Sequence, residues 1–393
     1  MTYRKIYLLI LCFFALSNTS ICQNSGLMYK TIGALAYMEY GLGDDRLGGA
    51  KMTYLDSNVQ IKVIDSVGTD YKIRLSAAHI AYIPKSVVKP SPEVKAAPYY
   101  LSSSFKVYGD SVYDYVTVQL PQKLPYKSQQ LINPAGIDID IYGATSNTNW
   151  ITQLQTAKEI DQTWYEQIED DVLRIHIRFK HQQHWGYAIY YDSLYKKLMI
   201  RVKRPPIADF RKWKIAIDAG HGGSNSGASG TISNKLEKEY TLLIAKQVQN
   251  AFKKAGIKKV IMTREIDTTL SMEERVVQLR KNQPDLLLSF HLNSSSVDTI
   301  KGSSTFYRYI GFRPLTQVVL KKMLELGLKE YGNVGNFNFA LSGPTEFPNC
   351  LVEVAFLSNK QDEKLIMQPL FHKKIALKMV EAIKMFAKES SKK

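Results

Sequence analysis

The sequence predicts an α/β domain with a mostly parallel sheet flanked by helices over residues 211–389, preceded by two small all-β domains at 27–90 and 99–203. Three observations carry that reading. Apolar residues recur with a period of two from about 27 to 203; beyond 213 short apolar runs alternate with stretches of helical period; and proline-rich segments lie at 89–98 and 204–206, where the pattern changes. The 393 residues are 45% hydrophobic and 22% charged, ordinary globular usage that excludes wholesale disorder and a collagen-like repeat.

The first residues stand apart. Arg4 and Lys5 precede the eleven-residue apolar run from Ile6 to Leu16, followed by Ser17-Asn18-Thr19-Ser20 and then Cys22. This is the layout of an export signal, expected to span 1–22 and to deliver the chain to the periplasm or cell envelope. A spanning helix needs about 20 apolar residues, so no transmembrane anchor is expected here or in any later stretch. Removal of the signal takes Cys12 and Cys22 with it and leaves Cys350 without a partner for an intrachain disulfide. A lipid anchor on Cys22 is the alternative processing, although Thr19-Ser20-Ile21 lacks the Leu and small residues that such sites carry.

In the first β unit Val59, Ile61 and Val63 alternate with polar neighbours, Val67-Gly68-Thr69-Asp70 offers a turn, and Tyr71, Ile73 and Leu75 resume the alternation. Pro90, Pro92 and Pro98 then predict an extended, semi-rigid linker. In the second unit Val116-Val118-Leu120, Ile137-Ile139-Ile141, Leu173-Ile175-Ile177-Phe179 and Leu198-Ile200-Val202 repeat the period, as in a sandwich with one solvated face. His176, His181 and His184 lie within nine residues there. They belong to a strand's polar face and a turn, with no cysteine or carboxylate cluster, so no metal site is expected. After Arg204-Pro205-Pro206 comes a strand at Ile215 to Asp218, then a helix marked by Ile244, Val248 and Phe252 and stopped at Gly256. A strand at Lys259 to Met262, a helix from Met272 to Asn282 and a strand from Leu286 to Phe290 follow. Ser303 to Tyr307 reads as an edge strand, Leu315 to Tyr331 as a helix, Cys350 to Phe356 as a buried strand, and Ile375, Met379, Ile383 and Phe386 mark a final helix.

Residues 204–393 hold 30 Lys and Arg against 18 Asp and Glu, so +12 of the net +16 lies there. For an exported protein nucleic acid is a poor partner for this charge. An anionic envelope polymer is a better one, with an attraction that weakens as salt rises. A solvated Lys-rich helical surface is the competing explanation, because many of these lysines lie in helix-like segments.

Open α/β sheets bind ligands beyond the carboxyl ends of their strands. Three strand ends here carry ligand-type side chains: His221 in Asp218-Ala219-Gly220-His221-Gly222-Gly223, His291 in Ser289-Phe290-His291-Leu292-Asn293, and Glu353 in Leu351-Val352-Glu353-Val354. Each alone is weak, but together they converge on one edge of the sheet. Zinc sites with catalytic roles use three His or carboxylate ligands and leave a position for water, whose pKa falls from 15.7 to about 7. Neither H-E-x-x-H nor H-x-x-E-H occurs, so the ligands must be gathered from separate loops. A further carboxylate is available from Glu237 or Glu239 at the start of the first helix. Gly222, Gly223, Gly227 and Gly230 lack a Gly-Lys-Ser/Thr ending and point to close backbone approach rather than a phosphate loop. Cys350, inside an apolar strand, reads as an inert core thiol.

The segment from Trp213 to about Glu389 resembles the catalytic domain of the zinc-dependent N-acetylmuramoyl-L-alanine amidases of the Amidase_3 type. The matching stretches are Ile217 to Gly223, Glu237-Lys238 five residues ahead of Leu242, Thr263-Arg264, Glu274-Arg275, Phe290 to Asn293 and Val352 to Asn359. The resemblance implies zinc (Zn2+) ligands at His221, Glu237 and His291 and a catalytic carboxylate at Glu353, which would pass a proton from water to the departing amine. It prefers Glu237 to Glu239, and departs from the family at Ala355, where glycine is usual. Arg264 and Arg275 match family positions and are expected to brace the fold, whereas Asn293 either touches substrate or fixes the His291 loop. The implied substrate is peptidoglycan, cut between the lactyl group of N-acetylmuramic acid and L-alanine of the stem peptide. The two β units resemble SH3-like and AMIN domains, the second of which localises such enzymes on peptidoglycan or at the division site, so divisome or activator proteins are the further partners implied. Some relatives carry an inserted helix that plugs the site. The 62 positions from His291 to Glu353 leave little room for one, which predicts an open cleft.

Overall fold

A computed structural model describes residues 26–43, 48–95, 97–192 and 197–391. The expected export signal at 1–22, with Cys12 and Cys22, lies outside the described residues.

The first β unit is a seven-stranded antiparallel sheet. Its strand order runs Lys51–Leu55, Ala36–Glu39, Ile80–Pro84, Asp70–Arg74, Gln60–Val67, Leu27–Thr31 and Val88–Pro90. The turn at Gly68 has φ +55, the left-handed region that glycine enters without steric cost. The second unit has mixed sheets. A five-stranded sheet includes Phe105–Gly109, Tyr113–Gln119 and Lys197–Lys203, with Ile151–Gln153 added in parallel at its edge. A four-stranded antiparallel sheet is formed by Tyr126–Ile132, Ala135–Tyr142, Val172–Phe179 and Ile160–Glu169. The period-two residues face inward, and those of both units merge into one hydrophobic cluster running from Ala36 to Val202. The proline-rich linker therefore joins two units that pack on each other.

In the α/β domain the elements are β1 (Lys214–Ala219), α1 (Glu237–Lys254), β2 (Lys259–Met262), α2 (Met272–Asn282), β3 (Leu286–Asn293), β4 (Ser303–Phe306), α3 (Arg313–Leu324), β5 (Glu330–Val334), β6 (Asn349–Phe356), α4 (Lys360–Ile366) and α5 (Pro369–Ser390). The sheet order is β2-β1-β3-β6-β4-β5, with β4 antiparallel to β6 and every other pair parallel. Alternate strand residues serve opposite faces. Ile215, Ile217, Leu286 and Leu288 pack under α1, α3 and α5, whereas Ala216 and Leu287 pack with Val276 and Leu279 of α2.

Three expectations change here. The stretch Ser303 to Tyr307 is one strand in from the edge, because Glu330–Val334 pairs outside it. The helix expected to reach Tyr331 ends at Leu324, and Gly327 turns the chain at φ +82 into that edge strand. Asn333 then ties the edge strand inward, its amide donating to the hydroxyls of Thr305 and Thr316. Finally, β3 runs on to Asn293, so His291 lies within its strand rather than beyond it, and Glu353 lies in the middle of β6, which ends at Phe356 as expected, rather than at a strand end. The span from His291 to Glu353 contributes α3, whose Leu315, Val319 and Met323 are buried in the domain core and do not plug the site.

Candidate metal centre

The loop after β1 carries His221 at φ +60, followed by Gly222 at +132 and Gly223 at +55. A non-glycine residue in the left-handed region persists only where its surroundings over-determine it. Two buried arginines do so. Arg275 Nη1 donates to the Ala219 carbonyl at 2.9 Å and Nη2 to the His221 carbonyl at 2.5 Å. Arg264 donates to the carbonyls of Ala219, Gly220 and Lys238. Arg275 also pairs with fully buried Asp218 at 2.5 Å, and Asp218 accepts from Thr263, just past β2, and from Ser289 on β3. Burial, the largest single effect, would raise the Asp218 carboxyl, but the charges of Arg275 and His291 and the hydrogen bonds from Ser289 and Thr263 together outweigh it and hold the group below the usual range. Both arginines brace the fold, as expected.

Glu237 opens α1. Its Oε2 accepts from the Ala228 N–H and its Oε1 from the Leu292 N–H, each at 2.9 Å, so the loop before α1 and the end of β3 together fix one carboxylate. Next to it, Lys238 reaches back to the Gly223 carbonyl at 2.7 Å and to Asp267 at 2.8 Å. Glu239 instead accepts from the Leu236 N–H at 2.8 Å, a helix-capping contact that takes it out of competition for the site.

The structure brings His221, Glu237 and His291 together, with one ligand atom from each inside 4.8 Å of the others. Glu237 Oε1 is 3.0 Å from His221 Nε2 and 3.2 Å from His291 Nδ1. Asn225 Oδ1 lies 2.8 Å from His221 Nδ1 and orients the ring so that Nε2 faces Glu237. Burial pushes Glu237 up, but the hydrogen bonds and charges of the two histidines prevail and hold it well below the carboxylate range. Burial pushes His291 down, and Glu237 together with the charges of Glu353 and Asp218 reverses this and raises it. Two imidazoles and one carboxylate, largely buried, form a donor set suited to zinc. His291 Nε2 is in addition buried without a hydrogen-bond partner. The residues present therefore fit a divalent metal.

Glu353 is half-buried directly beside His291, its register partner on the adjacent strand. Asn293 accepts from the Ser294 N–H through its side chain and from the Leu357 N–H through its carbonyl, both at 2.8 Å, and so fixes the loop after β3. Cys350 is buried and unpaired, and burial pushes its thiol well above the ordinary value. The three histidines of the second β unit go to separate partners. His176 bonds Asp138 and stacks on Trp164, His181 bonds Glu159, and His184 bonds the Leu131 carbonyl. Sequence reasoning missed the supporting set of Asp218, Asn225, Thr263 and Ser289. Of these Asp218, Thr263 and Ser289 lay in stretches already singled out, and none had been given a role.

Fold and site thus define an α/β domain with a two-histidine, one-glutamate cluster at the carboxyl edge of its sheet. Residues 215–385 match the family model Amidase_3, described as N-acetylmuramoyl-L-alanine amidase. Among curated relatives, the probable cell wall amidase LytH of Staphylococcus aureus is 31% identical over 173 residues, covering 44% of this chain. The match spans 57% of the relative's own length. Among solved structures, the catalytic domain of the CwlV amidase of Bacillus (Paenibacillus) polymyxa aligns with 44% of this chain and 97% of its own, at 29% identity and a TM-score of 0.43. An N-acetylmuramoyl-L-alanine amidase of Clostridium difficile 630 aligns with 46% of this chain and all of its own, at 28% identity and a TM-score of 0.44.

Proposed function

We propose that this protein is an exported peptidoglycan hydrolase that cleaves the amide between the lactyl group of N-acetylmuramic acid and L-alanine of the stem peptide. The observation that carries the reading is the His221, Glu237 and His291 cluster with Glu353 beside it, set in a domain that matches the Amidase_3 model. His221, Glu237 and His291 would hold Zn2+, which when bound supplies Lewis acidity to the scissile carbonyl and to the attacking water. Glu353 takes the proton that water loses and delivers it to the departing amine nitrogen of L-alanine. Glu237, held ionised by its histidines, contributes charge and does not exchange protons in the working range. Asn225 orients the ring of His221, and the Arg264 and Arg275 network keeps the His221 loop where Glu237 and His291 can meet it. Asn293, at the end of β3 two residues beyond His291, would contact substrate.

Export fits the leader at 1–22 with action in the periplasm or cell envelope. Among the described residues, no helix is long and apolar enough to cross a membrane. The two β units act as SH3-like and AMIN-like modules that localise the enzyme on the wall, and the basic C-terminal half favours anionic envelope polymers as a second contact.

The test is purified peptidoglycan incubated with the zinc-loaded protein and with Glu353→Gln, followed by mass analysis. Peptides beginning with free L-alanine are expected from the parent, with cleavage by the variant at least about 100-fold slower. Cuts within the stem peptide, or equal rates from the two proteins, would overturn the reading.

A further inference from the structure

Beside His291 the site is walled by Phe339, carried on a segment that is tied to the N-terminal sheet. The Phe339 ring stands edge-on to His291, with 5.5 Å between centroids and 85° between planes. It continues into Phe337 at 6.2 Å and Phe306 at 4.6 Å from Phe337. Between the two loop phenylalanines, Asn338 turns the other way. Its Nδ2 donates to the Gly49 carbonyl at 2.8 Å and its Oδ1 accepts from the Lys51 N–H at 3.3 Å. Lys51–Leu55 is an edge strand, so this one side-chain amide satisfies backbone groups that would otherwise lack a strand partner. Arg308 reinforces the contact, donating to Asn338 Oδ1 and to the Lys51 carbonyl. Leu35 makes a second, independent link. It packs with Phe339 and Met272 on the small core of Ala216, Val276, Leu279, Leu287, Leu341 and Phe347.

We propose that Phe339 is a positioning residue for His291, and that the N-terminal sheet domain holds it in place through Asn338, so that this domain supports the active site in addition to localising the enzyme. The inference rests on the reading of His291 as a metal ligand. The imidazole is confined from two sides. A Cβ at position 220 would lie 2.4 to 2.7 Å from three of its ring atoms, and Phe339 closes on it from the loop. Groups that orient a ligating histidine commonly govern metal affinity by about 10 to 100-fold. Phe339 is an apolar contact of this kind, and its anchor lies in a different domain, more than 280 residues earlier in the sequence.

The experiment compares the full-length parent with Phe339→Leu, Phe339→Tyr, Asn338→Ala and Asn338→Asp. It measures metal affinity by competition with a chromophoric chelator, the visible spectrum of the Co2+-loaded protein, kcat and KM on peptidoglycan fragments, and the melting temperature. Phe339→Leu is expected to bind metal about tenfold more weakly, to alter the Co2+ bands and to lower kcat with little change in KM. Phe339→Tyr is expected to restore all three. Asn338→Ala and Asn338→Asp, which lose the donor to Gly49, are expected to shift the same readouts in the same direction at an unchanged melting temperature. Parental affinity and spectra in Phe339→Leu would overturn the positioning role. Parental behaviour of both Asn338 variants would overturn the part assigned to the N-terminal domain. A parent that binds neither Zn2+ nor Co2+ would instead sink the underlying metal-site reading.

Discussion

Arg275 shows how much of the site depends on one side chain. It is 1% exposed, its partner Asp218 is fully buried, and its guanidinium also carries the carbonyls of Ala219 and His221. A buried pair of this kind is costly to assemble and costlier to break, because removing one member leaves the other as an uncompensated charge. Asp218 keeps its hydrogen bonds from Thr263 and Ser289, but neither supplies positive charge. Arg275→Met is therefore expected to lower stability by about 3 to 5 kcal/mol in urea unfolding. It should also free the left-handed His221 loop, with a matching loss of metal affinity. A change below about 1 kcal/mol would show that the pair is not what holds the loop. The sequence marked Arg275 as a brace but could not name its partner, since 57 positions separate it from Asp218.

Among elements, the turn leaving β1 has the least tolerance. A Cβ on Gly220 would lie 2.4 Å from His291 Cε1 and 2.6 Å from Nε2, and one on Gly227 would lie 2.5 Å from Glu237 Oε2. These two glycines let their loops close over the ligand side chains; of the four glycines singled out in the sequence only Gly227 does so, since Gly222 and Gly223 abut Arg264, Thr268 and Thr269 and Gly230 abuts Glu363. Gly220→Ala is expected to displace the His291 ring and weaken metal binding by about tenfold or more, with the helix content of the domain retained. Parental affinity in a chelator competition would mean that the loop can yield. At this scale the α/β segment was largely legible. Strands such as Leu286–Asn293 open on an apolar run, and helices such as Met272–Asn282 carry a Ser271–Glu274 capping box. The region from 313 to 334 was not. Leu320, Met323 and Leu328 keep a helical spacing across the true helix end, and the strand that follows, Glu-Tyr-Gly-Asn-Val, has no apolar alternation to announce itself. It is held by pairing with β4 and by Asn333, which are tertiary facts. Likewise Phe339 had no motif, because its role comes from a loop whose position another domain fixes.

Across the whole molecule, the three units are far less separable than a chain of modules. The segment from Gln182 to Tyr187 in the second β unit is set into the α/β domain. Trp185 packs on Trp213 and Phe386, the Tyr187 N–H donates to the Thr345 carbonyl at 2.8 Å, and Gln183 donates to the Gly311 carbonyl at 3.1 Å. His184 lies at the centre of this junction, 1% exposed, with Nε2 donating to the Leu131 carbonyl at 2.7 Å. A Cβ on Gly311 would lie 2.5 Å from its ring, so no water can approach from that side. Burial pushes its imidazole down to about 4, against an ordinary value of 6.5, with the Leu131 contact opposing only in part. The unfolded chain therefore binds the proton more readily than the folded one between those two values. The stability this neutral histidine represents is complete above pH 6.5 and is lost as pH falls toward 4, a span worth about 3 kcal/mol. Because Trp185 and Trp213 sit in the same contact, intrinsic fluorescence reports the junction directly. Urea unfolding at pH 7 and pH 4.5 is expected to show the loss in the parent and a much flatter profile in His184→Gln, with β and α/β units unfolding together at the higher pH. Equal pH dependence in parent and variant would place the acid sensitivity elsewhere, and two separate transitions at pH 7 would show that the junction does not couple the units.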